Sequence, residues 1–306
     1  MLVADLAKLV FLAAIWGGSF IFLRIAAPEV GPLLTATLRT ALAGAALMAF
    51  AAMTKVKMDW RNNLKPFAVV GLFAGVIPFS CFSYAALHLP AAYSAVLNAT
   101  APLFGAVFSV AWLAERLTML KLTGLLLGII GVAILTGAGT LPLDSDALLA
   151  IGACLVAAAC YAMASIIVKK TGRPGKNRPT DGRPGGIHPI AMAAGSLVVG
   201  GVMMLPTIPF SLPQAMPSAL ALACVAAMSL LSSGLAQAIF IPLIVKVGPT
   251  RAMSVSFLIP LFSMLWGFLF LHEAIGLATL IGGGVVLVAM GLVLSASRHE
   301  PFPSEG

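Results

Sequence analysis

Hydrophobic positions in this chain come in long blocks, with the polar positions gathered between them. Stretches free of acidic and basic side chains run over 66–87, 89–114, 122–143, 147–168 and 252–271. A bilayer core of ~30 Å takes about 20 apolar residues per helix, so each block is long enough to span it. The longest block, 189–245, exceeds one span and is cut by Pro206, Pro209, Pro213 and Pro217. It predicts two helices joined by a proline-rich turn. The full pattern predicts ten helices, at 7–26, 33–53, 66–88, 93–114, 120–138, 147–169, 188–205, 218–245, 250–271 and 275–296. The fold class is therefore an all-α integral membrane protein. The flank of the first block ("MLVADLAK") has no net positive charge and no convincing cleavage site, so the block reads as a retained span and not a signal peptide.

Composition agrees. Hydrophobic residues make up 60% of the chain and charged ones 9%, where a soluble domain has about a quarter charged. The basic residues set the orientation, because Lys and Arg resist translocation. With the N-terminus inside, 16 of the 18 fall on cytoplasmic flanks, and the outer loops hold none. The two exceptions, Arg24 and Arg39, lie within the first and second spans. The net charge of +8 is thus a topological signal that excludes a nucleic-acid partner. Cys81, Cys154, Cys160 and Cys224 sit in apolar spans as small hydrophobes, and the four histidines form no metal or catalytic cluster. No cofactor is called for.

The chain also repeats itself. A shift of 158 residues lays Pro102, Leu103, Phe104, Glu115, Leu122 and Gly124 on Pro260, Leu261, Phe262, Glu273, Leu280 and Gly282. Earlier in each half, Trp16 and Arg24 match Tyr161 and Lys169 at a shift of 145. The difference is an insertion, visible as the basic stretch "TGRPGKNRPTDGRPGG", which reads as a cytoplasmic loop over 170–187. The expected organisation is a first five-helix repeat at 1–141, a second at 146–297, and a tail at 298–306. Five is odd, so the second copy must be inverted relative to the first, a plan that recurs in secondary transporters.

"WGGSF" in the first helix, "APLF" then "AERL" in the fourth, and "IPLF" then "LHE" in the ninth resemble the EamA family of the drug/metabolite transporter superfamily in order and spacing. The resemblance implies a multi-pass carrier of the bacterial inner membrane, with members that export amino acids or other small metabolites. Tyr161 in place of the second tryptophan and the long loop depart from the pattern, and the substrate does not transfer.

Several residues are candidates for the transport site. In a helix interior, Pro102 would release the carbonyl of Asn98, and Pro260 that of Ser256. A free carbonyl must avoid hydrocarbon, so both should face protein or a wet cavity. Ser94, Asn98, Pro102, Gly105 and Ser109 form one helical stripe, repeated by Ser256, Pro260, Ser263 and Gly267. The stripes suit either a close-packed seam or a cavity wall. Asn98 and Ser256 are taken as substrate-facing. Ser229, Ser233 and Gln237 make a third stripe, and Ser80, Ser83 and Tyr84 sit late in the third helix. Trp16 and Tyr161 either stack on a substrate or fill the core.

Arg39 lies inside the second helix, where it would receive a carboxylate or phosphate, or else snorkel outward. Arg24, nearer an end, is expected to snorkel. No acid occupies the middle of a predicted helix. Glu115 and Glu273 close the fourth and ninth helices, and are read first as fixing the next turn, with gating as the other role. These observations predict a carrier for a small polar solute in the lipid bilayer, working by alternating access, with both termini cytoplasmic. A membrane enzyme would need a nucleophile or acid cluster that the sequence lacks, and a channel a ring of charges.

Overall fold

The computed structural model of the chain describes residues 3–113, 118–137, 144–171, 187–247 and 255–296. The described residues form helices and no strand. Helix α1 (Val3–Val30) and α2 (Pro32–Met53) are joined by Gly31 alone. Gly31 sits at φ 86 and ψ 145, a backbone state open essentially to glycine only. Pro32 then starts α2, where its missing N–H is not needed. Helix α3 (Trp60–His88) contains a π-turn at Leu72–Val76. The fourth expected helix is two pieces, α4 (Ala91–Asn98) and α5 (Ala101–Leu113).

Then follow α6 (Met119–Gly137), α7 (Ser145–Thr171) and α8 (Pro189–Met204), which tightens into a 3-10 turn at Leu205–Phe210. Helix α9 runs from Ala219 to Val247 through a second π-turn, Met228–Leu235. Helices α10 (Val255–Leu271) and α11 (Leu277–Ala296) complete the described chain. Seven helical stretches are long and apolar enough to cross a membrane, counting Ala91–Phe108 as one despite its break. Met119–Leu135, Leu258–Leu271 and Leu277–Val293 are shorter apolar helices.

The surface is apolar and the interior partly polar. Ile129, Leu149, Leu220 and Phe270 are each more than 60% exposed, whereas Thr35, Thr40, Ser83, Ser229 and Ser263 are fully buried. That distribution suits a hydrocarbon solvent, in which large apolar side chains have no reason to hide.

Small residues let the helices meet. A side chain at Gly17 would put its Cβ 2.8 Å from Phe262 Cβ and 2.9 Å from the Ser263 nitrogen, so α1 and α10 touch through their backbones. The partners form a pattern. Helix α1 packs on α10, and α7 on α4 and α5; α3 packs on α7, and α9 on α1; α3 packs on α8, and α9 on α2. Helices α2 and α8, α6 and α11, and α4 and α10 pair directly.

Candidate functional site

The best-defined polar centre lies where α2, α3, α7 and α9 meet. Helix α2 carries Arg39 inward at 8% exposure, so it does not snorkel. Its Nε donates to Ser233 Oγ at 3.2 Å, and its Cζ stands 4.0 Å from the ring centroid of Phe79. Tyr161 of α7 lies within electrostatic reach of the guanidinium. It stacks on Phe82 at 6.2 Å, and Phe20 meets Phe82 edge-on at 5.5 Å. Arg39 therefore lies against one aromatic face, that of Phe79, which attracts a desolvated cation by about 2 kcal/mol. Among the described residues no carboxylate pairs with it. An aromatic face lowers the cost of a buried charge without neutralising it, and the net charge of this centre is positive.

Several buried polar atoms also lack partners. Thr35 Oγ1, four residues before Arg39, and Ser83 Oγ, four after Phe79, are both buried with no hydrogen-bond partner. So are Asn98 Oδ1 and Ser263 Oγ. A buried polar atom without a partner costs ~1–3 kcal/mol, and a solute or water would recover that. The π-turn of α9 sits at the same depth. It holds Ser229 and Ser233, and also Ser232, whose carbonyl accepts from Trp16 Nε1 at 2.8 Å while its Oγ donates to the Ile15 carbonyl at 3.2 Å. Trp266 Nε1 donates to the Ala14 carbonyl at 3.0 Å. Trp16 thus spends its N–H on α9, and its ring meets Phe240 edge-on at 5.0 Å.

The other candidates lie apart. Tyr84 packs on His88, 4.9 Å between rings, on its own helix. Gln237 and Ser256 are half-buried, and no side-chain bond joins either to Arg39. Pro260 is buried within an unbroken α10. Pro102 departs from the expectation of a helix interior. Helix α4 ends at Asn98, and Pro102 is the second residue of α5, where a proline breaks no ladder. Thr100 makes the break possible. Its Oγ1 donates to the Leu97 carbonyl at 2.6 Å, and its own carbonyl accepts from Leu103 N at 2.9 Å. Asn98 and Pro102 therefore do not share one continuous helical face. Glu115 lies outside the described residues.

At one end of the bundle, Glu273 follows α10 and accepts from Arg24 Nε at 3.3 Å and from Ala91 N at 3.0 Å. Arg24 Nη1 also donates to the Ala86 carbonyl at 2.7 Å. Arg24 does not simply reach for the surface, and Glu273 is balanced by α1 and α4 and not by its own turn. Nearby, Glu29 of α1 accepts from Ser218 N at 2.7 Å and from Ser218 Oγ at 3.0 Å, at the start of α9. The π-turns, the Phe79 face and the Arg24–Glu273 pair were not foreseen from the sequence. Arg24 and Arg39 are the two basic residues that the sequence places within spans, and that was a usable signal for the last of these.

Comparison with known proteins bears on this architecture. The chain is 28% identical over 304 residues to the uncharacterized transporter YvbV of Bacillus subtilis, covering 97% of this chain and 94% of that one. It is 26% identical to the protein PecM of Dickeya dadantii, covering 92% and 88%. A solved crystal structure superposes with a TM-score of 0.65 at 19% identity, covering 96% of this chain and 98% of that one, and so shares the fold. The model of the EamA-like transporter family matches twice, over residues 6–137 and 147–295. Two matches covering nearly the whole chain, together with transporter relatives of the same length, place this protein in the EamA-like transporter family.

Proposed function

We propose that the protein is a secondary carrier that binds a small polar solute bearing a carboxylate, such as an amino acid, at Arg39, and moves it by alternating access. The observation that carries this reading is the charge at Arg39. It is buried, set against the Phe79 ring and without an acidic partner among the described residues, and it is held by Ser233 from the other half of the chain. A planar guanidinium in that setting accepts a carboxylate through two parallel bonds. The unpartnered Thr35 and Ser83 hydroxyls supply donors for the solute's remaining polar atoms. Trp16, Tyr161 and Asn98 complete the wall; Tyr84, Gln237 and Ser256 serve the pathway beyond it.

In this reading the seven long and three shorter apolar helices are ten spans, and the placement of Lys and Arg in the sequence supports both ends being cytoplasmic. Three features support two inverted five-helix halves. The family model matches twice. Each half carries a π-turn in its third span. The helix contacts come in couples that exchange when the halves are swapped. A carrier needs such halves, because one site must open to either side in turn. Its place is the cell inner membrane, and export is the direction that the family resemblance implies.

Purified protein in liposomes loaded with a panel of amino acids and small carboxylates tests this by counterflow. At least one carboxylate should exchange, and Arg39→Gln should slow it by roughly 100-fold, the loss of one buried charged bond at ~2–3 kcal/mol. Exchange of cations and neutral solutes with no carboxylate moved would defeat the assignment.

A further inference from the structure

One carboxylate gathers three helices of the first half and one of the second. Glu273, after α10, accepts from Arg24 of α1 at 3.3 Å and from the first N–H group of α4, at Ala91, at 3.0 and 3.3 Å. Arg24 reaches on to the carbonyls of Ala86 and Leu87 at the end of α3, at 2.7 and 3.4 Å. The Glu273 N–H donates to the Gly267 carbonyl at 3.1 Å, which folds the turn back against α10. The arrangement is favourable on two counts, because a carboxylate suits a helix N-terminus and a guanidinium suits the carbonyls at a helix end.

The cluster differs from the close-packed contacts between the halves, and shares its polar, water-accessible character with the Glu29–Ser218 pair. Helices α1 and α10 meet at Gly17 with backbones touching, a close-packed contact. Glu273 and Arg24 are 15% and 32% exposed at the side chain. Water at the rim can replace each of their bonds as it breaks, so separation is cheap there. Directly beneath lies Ser83, one turn before Ala86 on α3, fully buried with an unpartnered hydroxyl. Such a group is buried in this state and has reason to meet a polar partner in another.

We infer that Arg24, Glu273 and the start of α4 form the lock that closes the outer end of the transport path, and that it opens once in each cycle. The inference rests on the carrier reading and on an N-terminus inside, which puts the ends of α1, α3 and α10 on the outer face. It gives Glu273 a gating role through contacts with the first half, and gives Arg24 a role of its own. His272 and His88 are the other titratable side chains near these helix ends, and the lock as described needs neither.

The test uses the full chain with a reporter, Ser83→Cys, in right-side-out membrane vesicles. A membrane-impermeant cationic methanethiosulfonate is added from outside, and modified sites are located by mass spectrometry. With the lock intact, position 83 should react slowly. Adding Glu273→Gln or Arg24→Gln should raise its rate about tenfold, as expected when a closed population is shifted by loss of one charged contact. Cys154, fully buried in α7, should stay unmodified in every variant. An unchanged rate in both variants overturns the lock. Modification of Cys154 alongside position 83 overturns it too, because the pair is then a structural strut whose loss loosens the bundle. The assay needs no transported solute, so a failed lock and a failed carrier are seen separately.

Discussion

Arg39 and Arg24 sit on adjacent helices and have opposite surroundings. Arg24, near a bundle end, is answered fully: a carboxylate, a carbonyl at 2.7 Å and partial access to water. Arg39, more buried at 8% exposure, has one serine, one aromatic face and no acid among the described residues. A charge that is paired holds the protein together, and removing one partner strands the other. A charge left unpaired in a dry site destabilises the empty protein and is kept for something that binds.

That contrast is open to a direct test of stability. Arg24→Gln leaves Glu273 with only the Ala91 N–H, and should lower stability by about 1–3 kcal/mol. In a chain of this size this lowers the apparent melting temperature in detergent by several degrees, at roughly 2–4 °C per kcal/mol. Arg39→Leu removes an unpaired buried charge and fills the space with apolar surface, so the melting temperature should hold or rise. If Arg39→Leu melts as early as Arg24→Gln, then Arg39 is a structural residue and the contrast is lost.

A smaller effect sharpens the Arg24 side alone. A Cβ at Gly267 would come 2.9 Å from Glu273 Oε2, so glycine is what leaves room for the carboxylate to lie against α10. Gly267→Ala should displace the carboxylate without removing any charge. Alanine is the better helix former by about 1 kcal/mol, which offsets part of the loss. The net change in melting temperature should be within ~3 °C, and the Ser83→Cys labelling rate should rise less than for Glu273→Gln. A labelling rate equal to that of Glu273→Gln would mean that Gly267 matters as much as the charge.

Much of this was legible in the sequence, and the limits have physical causes. The apolar blocks mark helices because a bilayer fixes their length, and seven of the described stretches are long and apolar enough to cross a membrane. The two prolines looked equivalent by repeat, yet α10 runs through Pro260 while the chain breaks before Pro102. The signal was local: "NATAP" places Thr100 two residues before its proline, where "SFLIP" places Leu258 and keeps its one hydroxyl, Ser256, four residues back. The depth of Arg39 in its helix could be counted along the chain. That Phe79 and Ser233 close on it could not, because those contacts depend on how distant helices rotate. The π-turns at Leu72–Val76 and Met228–Leu235 leave no compositional mark.

The least effect is expected at Trp16, which the repeat matches to Tyr161. The two do not behave alike. Trp16 donates to the Ser232 carbonyl in the π-turn of α9, whereas Tyr161 stacks on Phe82 within electrostatic reach of Arg39. The α9 bond ties the first span to a carbonyl where the helical ladder has loosened, and such interhelical bonds average ~0.6 kcal/mol in membrane proteins. Trp16→Phe keeps an aromatic ring and deletes the donor. The melting temperature should fall by about 1–2 °C. Counterflow of the best carboxylate measures the other half of the question. Because the N–H is already committed to Ser232, the half-saturating concentration should change less than twofold, by the ~0.4 kcal/mol that twofold represents. Tyr161→Phe, by contrast, removes a hydroxyl within electrostatic reach of the guanidinium and should raise that concentration more than Trp16→Phe does. The reverse order would move the solute away from Arg39 and toward α1 and α9.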